Sequence, residues 1–366
     1  MTQRERLSIA LDGGQPDQVP VTWELVGRCA LAFTGDPGWK GQCDAHRLIG
    51  SAIFNLQGVG PHVGWERPAG YREHGRELGT EGGWQVSEQI IETPKGSLSQ
   101  ISHAAGIPGD PLVAKRVASF VKSPADWEIV ADWLDAADEG HFDVAASHEA
   151  REYVGDDGLV NFWLCDSLYA LANLRDSAEF VLDLMDRPAE MLELHTKMHR
   201  RTALAVECFN ASAADVLVYD ICWGSTSLIS PALFEQFVLP EAQWVCRTLA
   251  PGKRVVFFTT GKTRAVLPQI ADAGPHGVQH LDVLGDCDLA EVKQTFGKRF
   301  CLMGNYSPVV LAHGSVRQAE EEARRCLRAA MAEGGFIITT SDEVPADSKL
   351  ANMQAVVRLV DSEGRY

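Results

Sequence analysis

Several polar side chains of this chain follow directly after apolar stretches, and their types suit acid–base chemistry. Residues 255–258 are β-branched or aromatic and predict a buried strand, after which come Thr259 and Lys262. Residues 215–219 predict another strand that leads into Asp220, and residues 277–279 one that leads into His280. Catalytic residues of parallel α/β proteins gather at the carboxyl ends of strands. These positions therefore indicate a site at that end of the predicted sheet.

Four carboxylates, Glu24, Asp166, Asp220 and Asp342, stand at predicted strand ends. A carboxylate acts as a general acid or base when burial raises its pKa toward neutrality. The alternative is that these residues cap the following helices or hold loops by hydrogen bonds. We predict Asp220 as the catalytic acid, because the strand before it has the clearest pattern.

The pairs Asp220-x-Cys222 and His280-x-Asp282 leave several roles open. His280 oriented by Asp282 would serve as a general base, whereas a histidine satisfied within the core is the plain alternative. Together the four side chains also offer a substitute set of metal ligands, of the types that zinc accepts. We predict catalytic roles for Asp220, His280, Asp166 and Glu24 and no resident metal.

Aromatic and polar side chains near the same strand ends are candidates for substrate binding, although packing within a barrel also explains aromatic residues there. An aromatic or methylated substrate would suit them, and Lys262 would bind an anionic group unless it is solvated. The candidates are Trp23, Trp163, Tyr219, Trp223, Thr259, Thr260, Lys262, Asn305, Tyr306, Ser341 and Asp342.

The predicted elements alternate between short strands and helices from residue 159 onward, a pattern typical of a parallel sheet. No Gly-x-Gly-x-x-Gly follows the first strand, which argues against a dinucleotide-binding sheet. Residues 3–13 predict a helix, and residues 84–105 predict a hairpin with its turn at residues 93–96. We therefore predict an α/β fold, a (β/α)8 TIM-type barrel formed by one domain, residues 1–366, with an N-terminal helical and β-hairpin excursion.

Composition excludes several functional classes. The 366 residues are 45% hydrophobic and carry a net charge of −17, with no Lys/Arg run above two residues. Such a charge argues against a nucleic-acid interface or binding to an anionic membrane. No signal peptide or apolar stretch of about 18 residues is seen, which predicts a cytoplasmic protein without a membrane span. The nine cysteines are scattered without a Cys-x-x-Cys pair and predict reduced thiols.

The chain resembles the uroporphyrinogen decarboxylase superfamily over nearly its whole length, through short motifs in a fixed order. That group includes porphyrin decarboxylases and corrinoid-linked methyltransferases, and its fold is a distorted (β/α)8 barrel. The motifs are Arg4-Glu5-Arg6, residues 16–21 (PDQVPV), residues 92–98 (ETPKGSL), Tyr219-Asp220, residues 230–234 (SPALF), residues 304–308 (GNYSP), residues 334–337 (GGFI), Val344-Pro345 and Ala351-Asn352.

The resemblance favours the methyltransferase branch. Porphyrin decarboxylases carry an Arg-rich N-terminal segment for a substrate with many carboxylates, whereas residues 21–28 contain only one basic residue, Arg28. The methyltransferase branch usually binds zinc through His-x-Cys and a later thiolate. The matching positions here are Phe258, Thr260 and Ser341, which form no zinc ligand set. No zinc is therefore expected.

The resemblance thus implies a methyltransferase that moves a methyl group between a small methylated substrate, an aromatic methyl ether or an amine, and a corrinoid. The corrinoid would be carried by a partner protein, because no Asp-x-His-x-x-Gly stretch occurs here. Homodimer formation is left open. Two alternatives remain: a metal-independent decarboxylase or related lyase, and a barrel that binds a ligand without catalysis.

Overall fold

The protein is described by a computed structural model that covers residues 1–105, 114–137 and 139–366. Its contacts divide the chain into two compact units. The first unit consists of Met1–Pro61, Val144–Leu164 and Phe209–Tyr366. The second unit consists of His62–Asp143 and Cys165–Cys208.

Twelve strands are formed within the described residues. They are β1 (His62–Trp65), β2 (Arg72–Glu81), β3 (Trp84–Thr93), β4 (Gly96–Ala105), β5 (Ala114–Ala118), β6 (Gly140–Asp143), β7 (Asn161–Cys165), β8 (Val216–Asp220), β9 (Arg254–Phe258), β10 (Gly277–Gln279), β11 (Cys301–Met303) and β12 (Phe336–Ile337).

The α-helices in chain order are α1 (Gln3–Leu11), α2 (Gly27–Thr34), α3 (Trp39–Ile49), α4 (Trp127–Asp135), α5 (Ala145–Val154), α6 (Ser167–Ala172), α7 (Ser177–Asp186), α8 (Pro188–Ala211), α9 (Pro231–Leu233), α10 (Leu239–Thr248), α11 (Leu267–Ala273), α12 (Leu289–Phe296), α13 (Pro308–His313), α14 (Val316–Ala330) and α15 (Leu350–Glu363). A π-helical turn, Phe234–Val238, joins α9 to α10. None of the described helices combines the length and the apolar character that a membrane span requires.

Local sequence explains where several helices begin. Thr2 and Glu5 form a capping box at α1, in which each side chain accepts a hydrogen bond from the other's backbone N–H. Ser315 and Gln318 do the same at α14. Ser230 caps α9 just before a proline at the first helical position.

A six-stranded sheet organises the first unit, in the order β12-β11-β10-β9-β8-β7. The paired strands whose register is defined run parallel, for example Val216 to Asp220 beside Arg254 to Phe258. β8 is buried at every position, as its unbroken apolar sequence predicts. The structure thus confirms an α/β fold with a parallel sheet.

Two extended segments continue the hydrogen bonding beyond both edges of this sheet. Beside β12, Thr22 donates its N–H to the Ile338 carbonyl at 2.9 Å. Beside β7, a parallel bridge joins Ile53 to Gly158. The two segments meet where Ala52 donates to the Val21 carbonyl at 2.8 Å. This arrangement is consistent with a (β/α)8 barrel.

A buried hydrophobic cluster fills the space that these strands share with α1. Its strand members alternate along the chain, as in Val216 and Val218 of β8 or Val256 and Phe258 of β9. Leu7 and Leu11 of α1 belong to the same cluster. Since alternate residues of a strand share one face, the next residue on the β8 face is Asp220.

The second unit contains the predicted hairpin with the predicted bounds. β3 pairs antiparallel with β4 from Trp84 opposite Ala105 to Thr93 opposite Gly96. The complete sheet has the order β2-β3-β4-β5, and a separate antiparallel pair joins β1 to β6. A bulge between Glu77 and Gly79 interrupts the pairing of β2 with β3.

Candidate active site

A buried ion pair between Glu24 and His280 forms the centre of the candidate site in the first unit. The imidazole Nε2 lies 2.5 Å from the carboxylate Oε2, and both residues are at most 1% exposed. Among the described residues, neither atom has an aligned hydrogen-bond partner. The imidazole Nδ1 donates to the backbone carbonyl of Thr340. One ring nitrogen faces a carbonyl and the other faces a carboxylate. Because both partners are acceptors, the arrangement suits the doubly protonated ring.

The pKa of His280 is raised above its ordinary value. Burial works in the opposite direction and is the largest single influence. The Glu24 carboxylate, the Thr340 carbonyl and the charge of Asp342 together outweigh it. These contacts therefore favour the imidazolium form of His280 over the neutral ring.

Asp220 lies at the end of β8, with its side chain 4% exposed. Its Oδ1 accepts a hydrogen bond from the Cys222 backbone N–H at 2.9 Å, and the Cys222 thiol donates to the same oxygen. Trp163 supplies another side-chain hydrogen bond. Several donors thus fix the orientation of this carboxyl group.

The pKa of Asp220 is raised to about 6. Burial is the main cause, and repulsion from the Glu24 carboxylate adds to it, whereas the donors from Cys222 and Trp163 oppose it. A carboxyl group with such a pKa can give or take a proton near neutral pH. The site therefore places a titratable acid near the buried Glu24–His280 pair.

Aromatic rings stand beside these groups. The ring of Phe258 lies 4.9 Å from the Trp163 ring and 4.9 Å from the His280 ring, measured between centroids. Phe258 is 6% exposed, and Trp163 is partly buried against the hydrophobic cluster. The acid–base groups are thus bordered by an apolar wall.

The loop after β9 has a structural role that the sequence alone did not reveal. The Thr259 hydroxyl donates to the Gln279 carbonyl at 3.1 Å, and the Gly261 N–H donates to Asp282 at 3.3 Å. The carbonyl of Lys262 accepts hydrogen bonds from the loop after β8, and its side chain is exposed. Asp282 therefore holds loops together, and the carboxylate that contacts His280 is Glu24, not Asp282.

Three predicted substrate-binding residues direct their polar groups to helices instead. The Tyr219 hydroxyl donates to the Glu241 carboxylate of α10. The Tyr306 hydroxyl donates to a carbonyl of α14 at 3.0 Å, and the Asn305 side chain accepts from Arg325 of α14 at 3.0 Å. These contacts correct the expectation that all polar strand ends line one site.

The other residues predicted to bind substrate differ in how far they are exposed to solvent. Trp23 is fully buried and packs edge-on against Tyr306 at 5.5 Å. Trp223 is 8% exposed and Ser341 2% exposed, and Thr260 is half-buried. Asp342 is exposed but close enough to influence the His280 pKa.

Asp166 belongs to the second unit and caps a helix, which is the alternative role considered above for this carboxylate. Its carboxylate accepts a hydrogen bond from the Tyr169 N–H at 2.7 Å and caps α6. The residue is 1% exposed. The capping role considered for Asp166 is therefore present in the structure.

Within residues 1–105, 114–137 and 139–366, no group of three or more His, Cys, Asp or Glu residues is arranged to hold a metal ion. The substitute set of Asp220, Cys222, His280 and Asp282 therefore does not assemble. Phe258, Thr260 and Ser341 offer no thiolate or imidazole at the positions discussed above. The residues present do not fit a zinc site.

The chain is similar to a known protein family in sequence and to a solved structure in fold. A family model described as uroporphyrinogen decarboxylase (URO-D) matches residues 168–363. No curated protein matches the chain by sequence. The chain is similar to a solved methyltransferase from Methanosarcina mazei, with 17% identity, a TM-score of 0.64, and coverage of 99% of this chain and 98% of that one. An archaeal alanine dehydrogenase dimer with bound NAD aligns at 9% identity over 94% of this chain and 95% of that chain, with a TM-score of 0.15, too low to bear on the fold.

Proposed function

Because the chain belongs to the uroporphyrinogen decarboxylase family, we propose that it is an enzyme of the methyltransferase branch of that family. It would move a methyl group between a small methylated substrate and a corrinoid carried by a partner protein. The substrate would be an aromatic methyl ether or an amine. The observation that carries the proposal is the buried carboxyl group of Asp220, with its pKa near 6, beside the Glu24–His280 ion pair.

Demethylation of an ether or an amine requires a proton more than it requires a metal. When the bond between the methyl carbon and the oxygen breaks, the oxygen keeps the electron pair and develops negative charge. Asp220 in its protonated form would give its proton to that atom. The imidazolium of His280 would stabilise the same charge, while Glu24 keeps the imidazole protonated.

The corrinoid would supply the nucleophile that accepts the methyl group. This chain would contribute the surface on which the substrate is oriented. Phe258 and Trp163 are well placed to pack against an apolar or aromatic substrate. The enzyme would work without zinc, since the residues at the family's usual ligand positions do not bind it.

We also propose that the eight parallel segments of the first unit form a (β/α)8 TIM-type barrel. The hydrogen bonds of the segments around Val21 and Ile53 with the edges of the six-stranded sheet support this proposal. In such barrels catalytic residues stand at the carboxyl ends of strands. Asp220, which ends β8, and His280, which follows β10, would then face a common site.

Methyl transfer to free cob(I)alamin tests the proposed function. The purified protein would be incubated with methylated phenols or methylated amines under anaerobic conditions, and the demethylated product would be measured. Product formation that depends on Asp220 is expected. No transfer from any methyl ether or amine, with a substrate decarboxylated instead, would contradict the proposal.

The second candidate function is a metal-independent decarboxylase. The description of the matching family favours it, and a protonated Asp220 could also protonate a carbanion left after loss of carbon dioxide. Release of carbon dioxide from a carboxylated substrate by the wild type, and its loss in Asp220→Asn, would support this function over methyl transfer.

A further inference from the structure

The hydroxyls of three threonines, Thr22, Thr339 and Thr340, lie buried inside the first unit without a hydrogen-bond partner among the described residues. Thr22 and Thr339 are both 0% exposed, and the Oγ1 atom of each is unpaired. A buried hydroxyl that has lost its hydrogen bonds to water costs stability unless another partner replaces them. Native structures usually satisfy such groups, often with an internal water.

The strand register places the hydroxyls of Thr22 and Thr339 side by side. Ile338 donates its N–H to the Pro20 carbonyl at 2.9 Å, and Thr22 donates to the Ile338 carbonyl at 2.9 Å. This parallel pairing sets Val21 opposite Ile338. The next residues along the two strands, Thr22 and Thr339, are therefore neighbours on one face.

That face points to the interior and leads to the ion pair. Ile337, two residues before Thr339, belongs to the hydrophobic cluster together with Ala52 and Phe54. Glu24, two residues after Thr22, follows on the same face and contacts His280. Along that face, Glu24 is thus the next residue after Thr22.

We infer that an internal water molecule binds between the hydroxyls of Thr22 and Thr339 and donates a hydrogen bond to the Glu24 carboxylate. A buried water typically makes about three hydrogen bonds, and the two hydroxyls and Glu24 Oε2 supply that number. Oε2 itself has an ion-pair contact but no aligned hydrogen bond among the described residues. Bound there, the water holds Glu24 in place beneath His280 whatever reaction the site performs.

Other titratable and charged groups around Glu24 do not replace this water. His280, which follows β10, contacts the carboxylate, Asp220 acts on it from the end of β8, and Asp342, beyond β12, acts on His280. Of these groups, Asp220 repels the carboxylate when it is ionised. A neutral hydrogen-bond donor such as water is therefore the partner that these charges favour for the Glu24 carboxylate.

The substitutions Thr22→Val and Thr339→Val test the inference, because valine has nearly the shape of threonine without the hydroxyl. If a water joins the hydroxyls, each variant loses a hydrogen bond, and the thermal midpoint falls by on the order of 2 °C. If the hydroxyls are truly unpaired, valine removes a buried polar group and the midpoint rises. A rise in both variants would overturn the inference.

The control is Thr259→Val. The Thr259 hydroxyl donates to the Gln279 carbonyl at 3.1 Å, so its removal shows how far the thermal midpoint falls when one such hydrogen bond is lost.

A second measurement keeps the test decisive if a variant does not fold. In wild-type protein with labelled threonine methyl groups, NMR should show magnetisation transfer from a long-lived water to Thr22 and Thr339. Absence of that transfer at both methyl groups would refute a bound water.

Discussion

Asp220 and His280 are held in the same site, and the surroundings of both residues favour the protonated form. Burial and the charge of Glu24 favour the neutral form of Asp220, whereas the same Glu24 favours the charged form of His280. One carboxylate thus prepares both an acid and an imidazolium. Environments that shift the pKa of neighbouring groups in this way are typical of acid–base sites.

Replacement of Asp220 by asparagine should remove the titratable proton but keep the shape of the side chain. We expect turnover to fall by about 100-fold or more with the fold unchanged. In the wild type, the rate should decline as the pH rises through about 6, since Asp220 then loses its proton. Methyl-transfer rates between pH 5 and 8 check both expectations, and near-normal turnover in the variant would exclude Asp220 as the acid.

Asp220→Asn should not reduce stability at alkaline pH. A carboxyl group whose pKa is raised by folding stabilises the native state below its unfolded pKa, and that contribution is lost as the pH rises through about 6. At pH 8 the wild type therefore holds a buried, repelled carboxylate that the amide removes. Urea unfolding at pH 8 should give an equal or higher free energy of unfolding for the variant.

Glu24→Gln should break the buried ion pair and destabilise the protein by about 3 kcal/mol at pH 6. The raised pKa of His280 means that the pair stabilises the fold below the unfolded pKa and loses this effect as the pH rises through the folded pKa. The loss should therefore be smaller at pH 9. Urea unfolding at both pH values measures it.

Asp17→Asn is the matched control for Glu24→Gln, because Asp17 pairs with Arg6 at 2.7 Å but is half-exposed. An exposed pair of this kind contributes at most about 1 kcal/mol. Equal losses in the two variants would contradict a special role for the buried pair.

The loops after β8, β9 and β10 form one hydrogen-bonded assembly around Gly261. Gly261 has φ of +64°, and its N–H donates to Asp282. A Cβ atom at this position would lie 2.9 Å from the Ser225 hydroxyl and 3.0 Å from that of Ser227. Both the backbone conformation and the close approach therefore require glycine here.

Gly261→Ala should cost about 2 kcal/mol, the sum of backbone strain and of displacing the two serines. Gly252→Ala is a matched control, since Gly252 has φ of +82° but no atom within 4 Å of an added Cβ. It should cost only the backbone part, about 1 kcal/mol. Free energies of unfolding from urea titration compare the two, and a smaller loss for Gly261 than for Gly252 would refute the packing argument.

The protein belongs to the uroporphyrinogen decarboxylase family. Its residues Phe258, Thr260 and Ser341 are not zinc ligands. Its net charge of −17 would attract cations in general, but selective binding requires a defined set of donors. The described residues contain no cluster of three or more His, Cys, Asp or Glu able to bind a metal.

The purified protein should contain less than stoichiometric zinc, and treatment with a chelator should leave its turnover unchanged. Hydroxyls of Thr260 and Ser341 stay protonated near neutral pH and are poor ligands, so most of the binding free energy, on the order of 10 kcal/mol for a structural zinc, is lost. Elemental analysis together with an assay after dialysis against chelator measures this. One tightly held zinc per chain would show the expectation to be wrong.

Sequence alone determined the parallel strands, the hairpin at residues 84–105 and the position of Asp220. These features follow from local rules, because a run of apolar residues forms a buried strand wherever both faces are covered. The same period-two rule would have excluded Tyr219 from the face of Asp220, since consecutive strand residues point to opposite sides. That signal was present in the sequence.

Only the tertiary structure decided which partners these residues have. Glu24 and His280 are far apart along the chain, and no local pattern predicts that their side chains meet at 2.5 Å. The folded chain also decides that Asp282 holds loops and that Asn305 faces α14. Charge, burial and pKa depend on such long-range contacts, because the free energy of a buried ion is set by the atoms that surround it.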